Sequence, residues 1–242
     1  MSTQTYGIES LWQQSDFLIH TVAYILLLMS ISTWLVILLR SWQLFNLGRL
    51  AKNAASFWNA KNFEQGMQQL EGNENPFLNL AQEGKNAVEH HREHQDDLDR
   101  LLPLTEWLTI CLRNAIDEFS EKLQPGMGIM ASVGSTSPFI GLFGTVWGIY
   151  HALVGISVTG HVNISEVAGP IGESLIMTAF GLVVAIPAVL GYNAINRANK
   201  NILNKLNRFA YQIHAYYITG ATPANSSNFQ ARAGDNINKK AK

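Results

Sequence analysis

Residues 137–155 read SPFIGLFGTVWGIYHALVG, an uncharged hydrophobic run with glycine at positions 141, 144, 148 and 155. At about 100° per residue, Gly134, Ser137, Gly141, Gly144, Thr145, Gly148, Ala152 and Gly155 fall on one narrow stripe, and nothing on it is larger than threonine. Leucine, phenylalanine, tryptophan and valine fill the remaining faces. Such a helix offers a smooth groove to a close neighbour and bulk to lipid, which is a membrane packing seam. The polar group near its middle is the hydroxyl of Thr145, able to bond back to its own helix or to turn toward a partner or water.

Working outward, the composition alone does not choose between a soluble domain and a small membrane protein: 242 residues, 47% hydrophobic and 14% charged. The distribution decides. Phe17 to Leu39 and Ser174 to Asn196 are each 23 residues without a charge, about 34 Å as a helix and enough to cross a hydrocarbon core of about 30 Å. Between Leu123 and Ser165 lie 43 uncharged residues, too many for one crossing. Pro125-Gly126 breaks that run at its start, and Gly155 to Pro170 is glycine-rich and polar, which places one span at 129–154. The expected fold is all-α: a polytopic membrane protein with three transmembrane helices and long cytoplasmic helical extensions.

Charge fixes the topology. Of the 17 Lys and Arg, nine lie between Arg40 and Lys122 and eight between Arg197 and Lys242; the first 16 residues and the connector hold none. By the positive-inside rule, residues 1–16 are periplasmic, 17–39 the first span, and 40–128 a cytoplasmic helical region. Residues 129–154 are then the second span, 155–170 a periplasmic connector, 171–196 the third span, and 197–242 a cytoplasmic helix with a disordered tail. The net charge of −1 argues against a nucleic-acid partner.

Taken in order, no basic region precedes the first apolar run, which exceeds a signal-peptide core in length, so it is expected as a retained helix. Trp34 and Trp42 flank its inner end as interfacial anchors, and His20 near its outer end reads as a hydrogen-bonded or snorkelling histidine. In the inner region Asn75 is a candidate N-cap with Pro76 the first helical residue. From there to Lys122 the pattern suggests a long, charged, mostly solvated helix, interrupted or bent at Pro103. His90 and His94 share a helical face beside His91, but without further ligands nearby they read as a solvated face rather than a metal site. Cys111, the sole cysteine, excludes an intrachain disulfide. Neither a phosphate loop nor paired cysteines occur in the inner region, and no cofactor or metal is expected.

The third span repeats the logic of the second: Ser174, Thr178, Gly181, Ala185, Ala188 and Tyr192 share a mainly small stripe, and Pro187 is tolerated where neighbours satisfy the freed carbonyl. Two seams on one chain predict tight packing within a subunit and around a ring of subunits. Glu173 is the acid at the edge of these spans and has two readings. With Pro170 opening the helix, it lies in the first turn and is stabilised by the helix dipole by about 0.3 to 1 kcal/mol. Alternatively, it is an ionisable group at the outer mouth of a polar path. In either case no carboxylate sits at mid-depth, so a chain of this kind that moves protons needs a partner to bring one.

IGLFGTVWGIYHALVGI, followed by GPIGESLIMTAFGLVVAIPAVLGYNAINR, closely resembles the ExbB branch of the MotA/TolQ/ExbB proton-channel family, strongly over Gln124 to Arg197 and more loosely over the first helix with its LLRSWQLF exit. The resemblance implies a bacterial inner-membrane ring, a pentamer, around transmembrane helices of an ExbD-like partner, coupling the proton gradient to a TonB-like protein and to nutrient uptake such as iron–siderophore transport. It also implies that Thr145, Glu173 and Thr178 line the channel, with Gly134, Gly141, Gly144, Gly148, Ser174, Gly181 and Ala185 as the packing seam. The implied role is not enzymatic. A TolQ-like role in envelope integrity is the nearest alternative; a flagellar MotA role fits less well, because those proteins resemble a four-span design. From the residues alone a non-conducting scaffold stays open. An intramembrane serine protease is disfavoured: Ser137 and His151 share a face but lie 14 residues apart on one helix, about 21 Å, and Ser135 points away from His151.

Overall fold

The computed structural model describes residues 17–60, 62–70, 72, 75–93, 102–159 and 164–220. Every regular element among them is helical: α1 (Phe17–Asn53), a 3-10 turn (Ala54–Asn59), α2 (Phe63–Gln69), α3 (Pro76–Glu93), α4 (Leu104–Leu123), α5 (Met127–Thr159) and α6 (Ile164–Thr219). Three stretches are long and apolar enough to cross a membrane, within Phe17–Asn59, Met127–Val154 and Ser174–Thr219. The chain divides into two compact units, residues 1–41 with 126–196 and residues 42–125 with 197–242.

The first unit is a three-helix assembly of the early part of α1, all of α5 and the early part of α6. Val22, Leu26, Val133, Met177, Val184 and Ala188 form its core. The outer faces are the reverse of a soluble domain: Leu28, Leu38, Phe139, Val183 and Leu190 are each more than 60% exposed. A lipid solvent accepts such faces, whereas water does not. Hydroxyls within the helices bond back to carbonyls one turn earlier, as Thr21 does to Phe17 O (2.9 Å), Ser32 to Met29 O (2.8 Å) and Thr136 to Ser132 O (2.7 Å). At the start of α5, Gly126 has φ +81°, a conformation that strains any side chain, and a Cβ there would meet Val36 Cγ1 at 2.8 Å.

The second unit holds the remaining helices around an aromatic and aliphatic core of Phe57, Phe77, Leu80, Leu108, Leu112, Phe209 and Ile213, among others. Phe57 meets Trp58, Phe63 and Phe209 edge-on at 4.9 to 5.2 Å between centroids, the arrangement that aromatic quadrupoles favour. The Asn75 cap forms as expected, its Oδ1 accepting the Phe77 N–H at 3.1 Å while its Nδ2 donates to Leu70 O at 2.7 Å. The interruption expected near Pro103 is present, with α3 ending at Glu93 and α4 beginning at Leu104, but the two helices are not mostly solvated. α3 and α4 are separate helices that pack side by side in opposite senses, Gly84 facing Leu112 and Trp107 Nε1 donating to Ala87 O at 3.1 Å. Their charged outer residues dominate the sequence, while Leu80, Ala81, Gly84, Ala87, Val88, Leu108, Leu112 and Ile116 bury the inner stripe. Pro103 sits at the N-cap of α4, where its missing N–H costs nothing.

The polar connector also differs. α5 continues to Thr159 and α6 begins at Ile164, so Pro170 is an interior helical residue and Glu173 lies more than two turns inside α6. The first-turn dipole reading of Glu173 therefore lapses, since that field fades within one turn of the end. Its side chain, like residues 1–16, His94 and the tail from 221, lies outside the described set.

Candidate functional site

The glycine stripe of α5 meets the small-residue stripe of α6 within the subunit. Paired positions run in opposite senses: a Cβ built at Gly134 would lie 2.6 Å from Val189 Cγ2, at Gly141 2.6 Å from Met177 O, and at Gly148 2.7 Å from Ser174 Cβ. At Gly181 it would lie 2.6 Å from Ser137 O, so Gly141 and Gly181 mark a crossing at which the two backbones touch. Gly144 faces Val22 of α1 and Met177, and Ala185 is buried in the same seam.

One turn from that crossing, the close approach brings two hydroxyls and the Ser174 carbonyl together. Thr145 is only 5% exposed and Ser174 only 2%. Thr145 Oγ1 lies 3.1 Å from Gly141 O, 3.0 Å from Ser174 O across the interface, and 2.5 Å from Thr178 Oγ1. Ser174 Oγ donates to Ile171 O at 2.8 Å. Thr178 is half-buried, with Leu175, Ala179 and Leu182 of α6 exposed beside it along the helix. The result is an apolar face carrying the half-buried Thr178, its hydroxyl backed by a second that is buried. The two facing helices bring no charge: α5 has no Asp, Glu, Lys or Arg along its length, and neither does α1 before Arg40, while on α6 Glu173 directly precedes Ser174 in the chain.

Of the residues expected from sequence, Thr145, Thr178 and Ser174 come together, while Gly134, Gly141, Gly144, Gly148, Gly181 and Ala185 build the crossing around them. The Ser174 carbonyl is an addition. Its signal in the sequence is the i, i+4 spacing of Ser174 and Thr178, which puts that carbonyl directly beneath the Thr178 hydroxyl. Among the described residues the histidines do not gather. His91 Nε2 lies 3.2 Å from Leu102 O and His90 stacks on Trp107; among the described residues no cluster of three metal-ligating side chains occurs. Ser137 Oγ donates to Val133 O at 2.8 Å, whereas His151 packs against Trp147 and Tyr150, so no nucleophile meets a base there.

A match to the family described as "MotA/TolQ/ExbB proton channel family" covers residues 65–208, which includes this whole crossing. The chain belongs to that family. It is 39% identical over 213 residues to the Neisseria meningitidis serogroup A protein named "Biopolymer transport protein ExbB", covering 86% of this chain and 96% of that one. The Xanthomonas campestris pv. campestris strain B100 protein of the same name is 38% identical over 219 residues, with 85% and 84% covered. Pseudomonas aeruginosa "Tol-Pal system protein TolQ" is 32% identical over 215 residues, with 85% and 90% covered. Membership of a proton-channel family gives the uncharged hydroxyl cluster a chemical setting: a hydrophobic slab in which few groups can receive a proton donor.

Proposed function

We propose that this chain is an inner-membrane proton-channel subunit that, with an ExbD-like partner, uses the proton motive force to energise a TonB-like protein and so drive outer-membrane uptake of substrates such as iron–siderophores. The observation that carries the reading is the Thr145–Thr178–Ser174 cluster, a hydroxyl site at membrane depth with no carboxylate of its own on α1 or α5. Hydroxyls cannot store a proton, so the titrating group comes from a partner helix, and Thr178 with its buried support solvates it. Each proton that crosses supplies about 2.3 kcal/mol per 100 mV. The apolar outer faces of the membrane unit suit a homo-oligomeric ring, a pentamer, in lipid. The distribution of basic residues supports a periplasmic N-terminus and a cytoplasmic C-terminus.

The test is growth of a deletion strain on a receptor-dependent iron source. Joint replacement of Thr145 and Thr178 by valine abolishes growth, with membrane level and partner co-purification unchanged; undiminished growth of that variant removes the hydroxyl site from the function. Glu173→Gln, assayed in the same way, loses growth where the carboxylate takes part in coupling and keeps it where Glu173 is a passive charge. A second reading, energising an envelope-integrity system, is favoured by the TolQ-named relative. Detergent sensitivity of the deletion strain with normal iron uptake selects it.

A further inference from the structure

We infer that the Thr145–Thr178 pair is polarised inward: the hydroxyl at the exposed face offers acceptor lone pairs and no hydrogen, so the site holds a partner carboxyl in its protonated form and disfavours the carboxylate. The inference rests on the proton-coupling reading and concerns the same site. It follows from counting hydrogens. Thr145 Oγ1 has one, and two of its three neighbours, Gly141 O and Ser174 O, are carbonyls that only accept. The hydrogen in those contacts is therefore that of Thr145.

Ser174 O is the decisive atom. Within α6 it already receives the N–H of Thr178, four residues on, and the Thr145 hydroxyl fills its second lone pair. A helical threonine ordinarily turns its own hydroxyl to that carbonyl. With the carbonyl filled from the neighbouring helix, Thr178 donates instead to Thr145 Oγ1, its partner at 2.5 Å. In the reverse orientation Thr145 would donate to Thr178, leaving two buried carbonyls facing a hydroxyl oxygen at 3.0 and 3.1 Å with no hydrogen between them. A low-dielectric interior penalises that arrangement most.

An inward-polarised Thr178 accepts an O–H and has nothing to give to an anion. A carboxylic acid brings an O–H; a carboxylate brings only lone pairs. The other titratable side chains on the packed membrane stretches are His20 and Tyr24 on α1, Tyr150 and His151 on α5, and Tyr192, Glu166 and Glu173 on α6. None of the first five makes a hydrogen bond to the pair. The pair thus acts on the acid–base balance of an incoming carboxyl through hydrogen-bond polarity rather than charge.

The test uses the intact complex purified with its partner membrane protein. A hydrophobic carbodiimide reacts with protonated carboxyl groups, and the labelled partner carboxyl is quantified by mass spectrometry across pH. Wild type and Thr178→Ser label with the same half-labelling pH. Thr178→Val, which lacks the acceptor, shifts it about one unit to the acid side, the tenfold change that one hydrogen bond is worth. Thr178→Asn, which supplies N–H donors to an anion, shifts it at least as far. Intact Val and Asn complexes that label at the wild-type pH overturn the polarity. A wild-type complex that transports while no partner carboxyl labels at any pH overturns the proton-coupling reading itself.

Discussion

A single carbon added at Gly141 or Gly181 would land 2.6 Å from a backbone oxygen of the facing helix. No flexible side chain stands there to give way, so the helices must part and the crossing loses its packing. Gly141→Val and Gly181→Val are therefore expected to abolish the folded subunit, read as membrane level and protease resistance. Gly128→Ala and Gly172→Ala, where nothing lies within 4 Å, retain it. At this scale the sequence was informative, because stripes of small residues on two helices announce close approach. Thr145 and Thr178 were legible one by one for the same reason. Their meeting was not: helical phase says which face a residue occupies but carries no register between helices, and so it could not show that Ser174 O would be filled from α5.

Element boundaries were legible where local chemistry sets them. Asn75 and Pro76 start α3 because the Asn side chain satisfies a free N–H and proline lacks one. Asn75→Ala removes both of its hydrogen bonds from a buried site and is expected to cost about 1 to 3 kcal/mol. A lowered midpoint in denaturant, with the membrane level unchanged, checks it. The connector misled for the opposite reason: glycines and polar residues between 155 and 170 suggest a loop, yet a helix satisfies its own backbone groups and tolerates glycine at about 1 kcal/mol each. The solvated appearance of 76–122 came from charges on the outer faces; a period-3.6 stripe of Leu80, Ala81, Gly84, Ala87 and Val88 is present but diluted. Between α2 and α3, the Glu64 carboxylate bonds Lys85 Nζ at 3.0 Å and, with Glu89, holds its ammonium above the usual 10.5. A raised folded-state value means the contribution is complete below 10.5 and fades as pH climbs through the raised value. Melting of Lys85→Met should thus sit slightly below wild type at neutral pH and converge with it in strong alkali, the small gap reflecting solvent screening.

On the scale of the whole molecule, two kinds of surface divide the labour. The membrane unit exposes leucine, phenylalanine and valine, while the other unit buries an aromatic and aliphatic core that includes Phe57, Phe77, Leu108 and Phe209. Three uncharged runs, the positive-inside asymmetry and the resemblance near Thr145 made this much readable from the chain alone. Assembly was not, because contacts between copies depend on surfaces whose complement lies on another chain. The crossing at Gly141 and Gly181 has one more consequence. Where two backbones touch, one helix cannot ratchet past its neighbour without driving a residue such as Leu142 or Leu182 through a space that admits only a hydrogen atom. Any motion of this unit therefore carries α5 and α6 together as one body, the crossing acting as a weld between them.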